Sequence, residues 1–116
     1  MPPRANVKSR GICFMGLVFA SLLGSEAHSQ SVTTLGAGNS SCGSWLSARA
    51  SNNYFSMGNW ALGFLSGVGI YSTDLNPLEG VDSDAVSYWL DNYCQARPTD
   101  RFVDALNAFI RQHPRR

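Results

Sequence analysis

The run from Asp82 to Pro98, Asp-Ser-Asp-Ala-Val-Ser-Tyr-Trp-Leu-Asp-Asn-Tyr-Cys-Gln-Ala-Arg-Pro, constrains the fold more than any other stretch of the chain. Ala85, Val86, Trp89, Leu90, Tyr93 and Cys94 recur at helical spacing and make one apolar stripe. Asp84, Ser87, Asp91 and Gln95 fall largely on the other side. Both ends are marked. Asp82 is placed to accept from free backbone N–H groups as an N-cap, Asp84 suits the positive end of the helix dipole, and Pro98 drives Arg97 out of helical geometry. A helix that buries Trp89 and carries a cysteine at the end of its stripe needs other helices to cover it.

The chain starts with a different kind of segment. Arg4, Lys8 and Arg10 form a basic region, Gly11 to Gly24 is uncharged and largely apolar, and Ala27-His28-Ser29 puts small residues at the −3 and −1 positions of a cleavage site. Residues 1–29 therefore read as a secretory signal peptide. As a membrane anchor the apolar run is too short, since about 14 residues rise about 21 Å as a helix against a bilayer core of about 30 Å. Cleavage leaves 87 of the 116 residues, with six arginines, seven carboxylates and no lysine. That balance gives no basic field for nucleic acid. It also removes Cys13 and leaves Cys42 and Cys94 as an even pair in an oxidising compartment, so a Cys42–Cys94 disulfide is expected. It would close 53 residues, for which chain entropy gives on the order of 4 kcal/mol.

Residues 30–40 are Ser, Thr, Gly and Asn with few apolar positions, and are expected to form a flexible N-terminal tail. Residues 41–113 form the folded domain, with a first helix capped by Ser41 or Ser44 and ended by Ser51-Asn52-Asn53. Tyr54 to Tyr71 follows with Met57, Trp60, Ala61, Phe64, Leu65 and Val68 on one face. Gly63 and Gly67 lie one turn apart there and are expected to admit a close neighbour; a membrane-type glycine dimer face is the alternative. Ser72 to Gly80 is a loop. The last helix starts at a Thr99 cap and presents Phe102, Val103, Ala105, Leu106, Phe109 and Ile110. No stretch alternates with period two, so the expected class is all-α, a small four-helix domain with one disulfide. Residues 114–116 are expected to be a solvated basic tail.

Catalytic chemistry has little to work with in the expected mature chain. His113 is its one histidine and sits near the end, and both cysteines are expected to be bridged. Asp82 and Asp84 lack the later Gly and Glu of a calcium loop, so no metal or other cofactor is expected. Asp91, Asp100 and Asp104 read as a solvated face, with a paired-carboxylate site as the minority reading. On that basis Trp89→Ala is expected to cost about 3–5 kcal/mol and Asp91→Asn under about 0.5. The aromatic content is more suggestive. Eleven rings follow residue 29, more than so small a core can cover, and Tyr54, Phe55, Tyr71 and Tyr88 sit off the main stripes as candidates for a partner-binding surface.

The order Cys42, Trp45, Gly63-Phe64-Leu65-Ser66-Gly67, Leu90-Asp91-Asn92-Tyr93-Cys94 and Pro98, followed by a last helix bearing Asp, Ala and Phe, resembles the HdeA-like superfamily of small periplasmic helical proteins. The resemblance implies a disulfide-stapled helical domain that binds other proteins. The superfamily includes acid-stress chaperones and immunity proteins against amidase effectors of type VI secretion. The chaperones are rich in Lys, Glu and Asp, whereas no lysine follows the leader here, so an interaction module, immunity-type included, ranks first. A chaperone of unfolded clients ranks second and a small carboxylate enzyme a distant third. The expected location is the periplasm or outside the cell, with no stable membrane insertion after cleavage. The expected partner is another protein, a second copy among the options.

Overall fold

The computed structural model describes residues 32–116, so the leader and its cleavage site lie outside the described residues. Four helices fold together within Thr34–Arg116: α1, Cys42–Ala50; α2, Phe55–Tyr71; α3, Ser83–Ala96; and α4, Phe102–Gln112. The described residues form no strand. Local signals account for most boundaries. Asp82 Oδ1 accepts from Ala85 N at 2.9 Å as the N-cap of α3, and Ser41 Oγ accepts from Ser44 N at 3.1 Å as that of α1. Asn52 takes a left-handed φ of 57° just after α1, which ends the helix, and Gly80 takes one of 73° before α3.

The start of α4 differs from expectation. Its N-cap is Arg101, not Thr99, with Asp104 Oδ2 reaching back to accept from Arg101 N at 3.3 Å. The residues before it are held elsewhere. Cys42 N donates to Asp100 O at 2.7 Å, Gly43 N to Pro98 O at 2.9 Å and Phe102 N to Ser40 O at 2.7 Å. These bonds fix the α3–α4 turn against the first turn of α1, so α4 starts only beyond Arg101. The Cys42–Cys94 disulfide, with Cα atoms 4.9 Å apart, fastens the same junction from the side.

The core is organised around α4 and Trp45, not around α3 and Trp89. Phe102, Val103, Ala105, Leu106, Ala108 and Phe109 are all buried on α4. Trp45 is fully buried and stacks on Phe102 with ring centroids 5.3 Å apart. Trp89 is half-buried and lies edge-on to Phe109, and Ala85 of the expected stripe is exposed. The α3 face that does bury is Val86, Leu90 and Cys94. Helix α2 is the least covered, with only Ala61 and Leu65 fully buried, and it packs on α4 while barely touching α3.

Three further expectations are corrected by the packing. Residues 30–40 are not a free tail throughout, because Gly36–Asn39 form a 3-10 turn packed against α2 and α4, with Gly38 buried. Trp60 Nε1 donates to Leu35 O at 3.0 Å and its ring covers the turn. Glycine is what lets the ring in: a Cβ on Gly38 would stand 2.8 Å from Trp60 Cζ2, and Gly36 has φ 86°. By contrast, Gly63 and Gly67 admit no neighbour, since a Cβ on either meets nothing within 4 Å. Nor is 114–116 simply solvated. Arg116 Nη2 donates to the carbonyls of Gly69, Ser72 and Leu75 at 2.9, 3.3 and 3.0 Å, capping the C-terminal end of α2.

The glycines give opposite outcomes on substitution. Gly63→Ala should raise stability by about 0.5–1 kcal/mol through helix propensity alone. Gly38→Ala should lower it by about 1–3 kcal/mol by forcing Trp60 off the turn. Denaturant midpoints measured on both variants check the pair.

Candidate functional site

Helix α1 places Trp45 and Arg49 four residues apart on one face, and α3 meets that face with Asp91. Trp45 Nε1 donates to Asp91 Oδ1 at 2.9 Å. Arg49 Nε donates to the same oxygen at 3.0 Å, and Arg49 Nη2 to Oδ2 at 2.8 Å, a two-pronged pairing. Asp91 is thus the acceptor that ties α1 to α3 and satisfies a fully buried indole. It is not a solvated carboxylate. The hydrogen bonds that Asp91 accepts from Arg49 hold the guanidinium charged more firmly than usual, against the opposing effect of burial. The pair stays 23% and 21% exposed, so screening limits its Coulomb attraction, and the hydrogen bond to the buried indole contributes more to stability.

Arg49 also assembles the aromatics. Its Cζ lies 4.6 Å from the Tyr54 ring and 5.9 Å from the Tyr88 ring, and Tyr54 stacks on Phe55 at 4.8 Å. Of the four candidate rings the structure therefore brings together Tyr54, Phe55 and Tyr88, with Phe55 and Tyr88 each 63% exposed. Tyr71 is set apart. It ends α2, 16 residues and about 24 Å from Phe55, and is 90% exposed.

Because α2 and α3 barely touch, a cleft of about 260 Å³ opens between them beside this cluster. Its floor is Trp45, Ala61, Val86 and Leu90, and its walls include Tyr54, Phe55 and Leu62. Asn59, Ser83, Asp84 and Ser87 add polar groups at its margin. The sequence pattern marked Tyr54 and Phe55 but missed Asn59, Leu62, Ser83 and Ser87. No period or motif singles these out, since they meet only because two helices splay.

Several other titratable groups have structural work. Tyr93 Oη donates to Asp100 Oδ2 at 2.8 Å, and Arg101 Nη2 pairs with Asp104 at 3.1 Å. His113 is no tail residue: it stacks on Phe109 at 4.1 Å, edge-on to Trp89, with Nδ1 3.0 Å from Phe109 O. Among the described residues no three His, Cys, Asp or Glu side chains are grouped to hold a metal, and no helix is long and apolar enough to cross a membrane.

Two measurements check this geometry. Asp91→Ala should cost about 2–4 kcal/mol by orphaning the buried Trp45 N–H, and Asp91→Asn about 1–2, since an amide oxygen still accepts it. Equal midpoints for Asp91→Asn and the parent chain would contradict the account. For Tyr93, burial first, then the hydrogen bond and charge of Asp100, raise the phenol above its usual 10.0, with Arg97 opposing. A raised folded value leaves stability intact below about pH 10 and removes it as pH climbs through the folded value. Tyr93→Phe should therefore flatten the stability profile above pH 10, measured by denaturation at pH 9 to 11.5.

Scanned against protein-family models, curated proteins and solved structures, the chain matches none of them.

Proposed function

We propose that this chain is a non-catalytic protein-binding module of the HdeA-like kind, acting in the periplasm or outside the cell, with immunity-type capture of another protein as its role. The observation that carries the reading is the α2–α3 cleft, apolar at its floor and walled by Tyr54 and the exposed ring of Phe55. About 260 Å³ falls below the roughly 300–1,000 Å³ of small-molecule sites and suits one or two side chains of a partner. The engagement of Asp91, Asp100 and Asp104 with Trp45, Tyr93 and Arg101 weighs against a carboxylate enzyme.

Acid-activated chaperoning is the second reading, and one observation favours it. Asp91 and Asp100 both accept hydrogen bonds that join separate elements, so two of the fastenings rest on carboxylates. The exposed rings at neutral pH favour a binder that needs no such opening.

A photo-crosslinking residue placed at Asn59 or Ser87 of the exported protein should give adducts with one discrete protein, and one at the exposed Asn107 of α4 should not. Ser87→Trp, which fills the cleft, should abolish those adducts at Asn59. Equal adducts from all three positions would contradict the proposal. Suppression of client aggregation that appears only at pH 2–3 would make the chaperone the better account.

A further inference from the structure

The cleft has a chemical asymmetry that specifies its occupant more closely. Its floor is apolar, and among the described residues no buried side-chain nitrogen or oxygen lacks a hydrogen-bond partner. A polar head pushed to the bottom would therefore go unsatisfied, at a cost of about 1–3 kcal/mol, so the inserted group is apolar. Asp84 is the one charged residue in the lining. It is exposed, and neither ion pair of the described residues involves it. The nearby cation, Arg49, is committed to Asp91 and does not line the cleft.

We propose that the cleft takes an apolar side chain of a partner protein whose neighbouring residue is basic, the base pairing with Asp84 at the margin. This rests on reading the cleft as a protein-binding site. Among the described residues, a second copy of this chain offers no exposed segment of that kind. Within Thr34–Arg116 the exposed large apolar side chains are Leu35, Phe55, Ile70, Tyr71 and Tyr88, and none adjoins an arginine or lysine in sequence. Three of them lie on α2, whose 17 residues carry no charge at all. An acidic neighbour is disfavoured, because it would sit against Asp84. Ser83 and Ser87 add hydroxyls for the backbone of the bound segment. Because Asp84 is exposed and faces the positive end of α3, its effect on affinity is modest and screened by salt.

The test uses the purified oxidised chain and three nine-residue Ser/Gly peptides with a central Phe followed by Arg, Gln or Glu, titrated by NMR. Shifts at Leu62, Ser87 and Val86 report the cleft. The Arg peptide should bind about three- to fivefold tighter than the Gln peptide at low salt. That preference should vanish in 1 M salt, where the Debye length is about 3 Å, and in Asp84→Asn. Asp84→Lys should reverse it in favour of the Glu peptide, and a reversal shows that the variant is folded and competent. Equal binding of all three peptides at the cleft overturns the charge rule and leaves the cleft as a binding site. Absence of cleft shifts with every peptide overturns both. A preference for Arg that survives in Asp84→Asn overturns the assignment to Asp84.

Discussion

The structure depends on one junction, where the first turn of α1 is fastened to the turn between α3 and α4. Three backbone hydrogen bonds link Ser40, Cys42 and Gly43 to Phe102, Asp100 and Pro98, and the Cys42–Cys94 bridge crosses beside them. In an expected mature chain of 87 residues, a core alone covers only about 60–65% of the unfolded surface. A bridge over a sequence separation of 52, worth on the order of 4 kcal/mol, is comparable with the whole net stability of many domains. With α1 fixed, Trp45 is driven against Phe102 and its indole N–H reaches Asp91. Helices α1, α3 and α4 thus form one frame, while α2 is carried on the Gly36–Asn39 turn and α4 and its α3-facing side is left open. The cleft is the direct result of that uneven attachment.

Much of the frame is legible in the sequence because its signals are local. The Asp82 and Ser41 caps, the break at Asn52 and the stripe through Val86, Leu90 and Cys94 each depend on residues within a turn or two. The cysteine pair follows from counting once the leader is set aside. What periodicity does not supply is the identity of the partner face. Trp89 and Trp45 look alike in pattern, yet only Trp45 lies at the meeting point of three helices, with Trp89 left over the edge of Phe109 and His113. Glycine misleads for the same reason. The spacing of Gly63 and Gly67 suggested contact, but close approach occurs at Gly36 and Gly38, in a stretch whose polar composition suggested no packing.

The candidate site shows the same division. Tyr54, Phe55 and Tyr88 stand out as rings off the main stripes, and Arg49 gathers them. Tyr71 satisfied the same criterion and lies at the far end of α2. Asp91, a solvated carboxylate by helical phase, proves to be the side-chain hydrogen-bond acceptor that joins α1 to α3 beside the disulfide, because the opposite side of α3 is covered by Trp45 and Arg49 from 42 or more residues away. A single helix cannot reveal that both of its faces are used.

Amide hydrogen exchange tests the dependence on the junction most directly. The amides of Cys42, Gly43 and Phe102 should be among the slowest in the oxidised chain, opening only with global unfolding. After reduction of the disulfide they should exchange through a lower-energy local opening, while Leu106 and Phe109 in the middle of α4 remain the best protected. Fast exchange of the junction amides in the oxidised chain, or protection unchanged by reduction, would contradict the account.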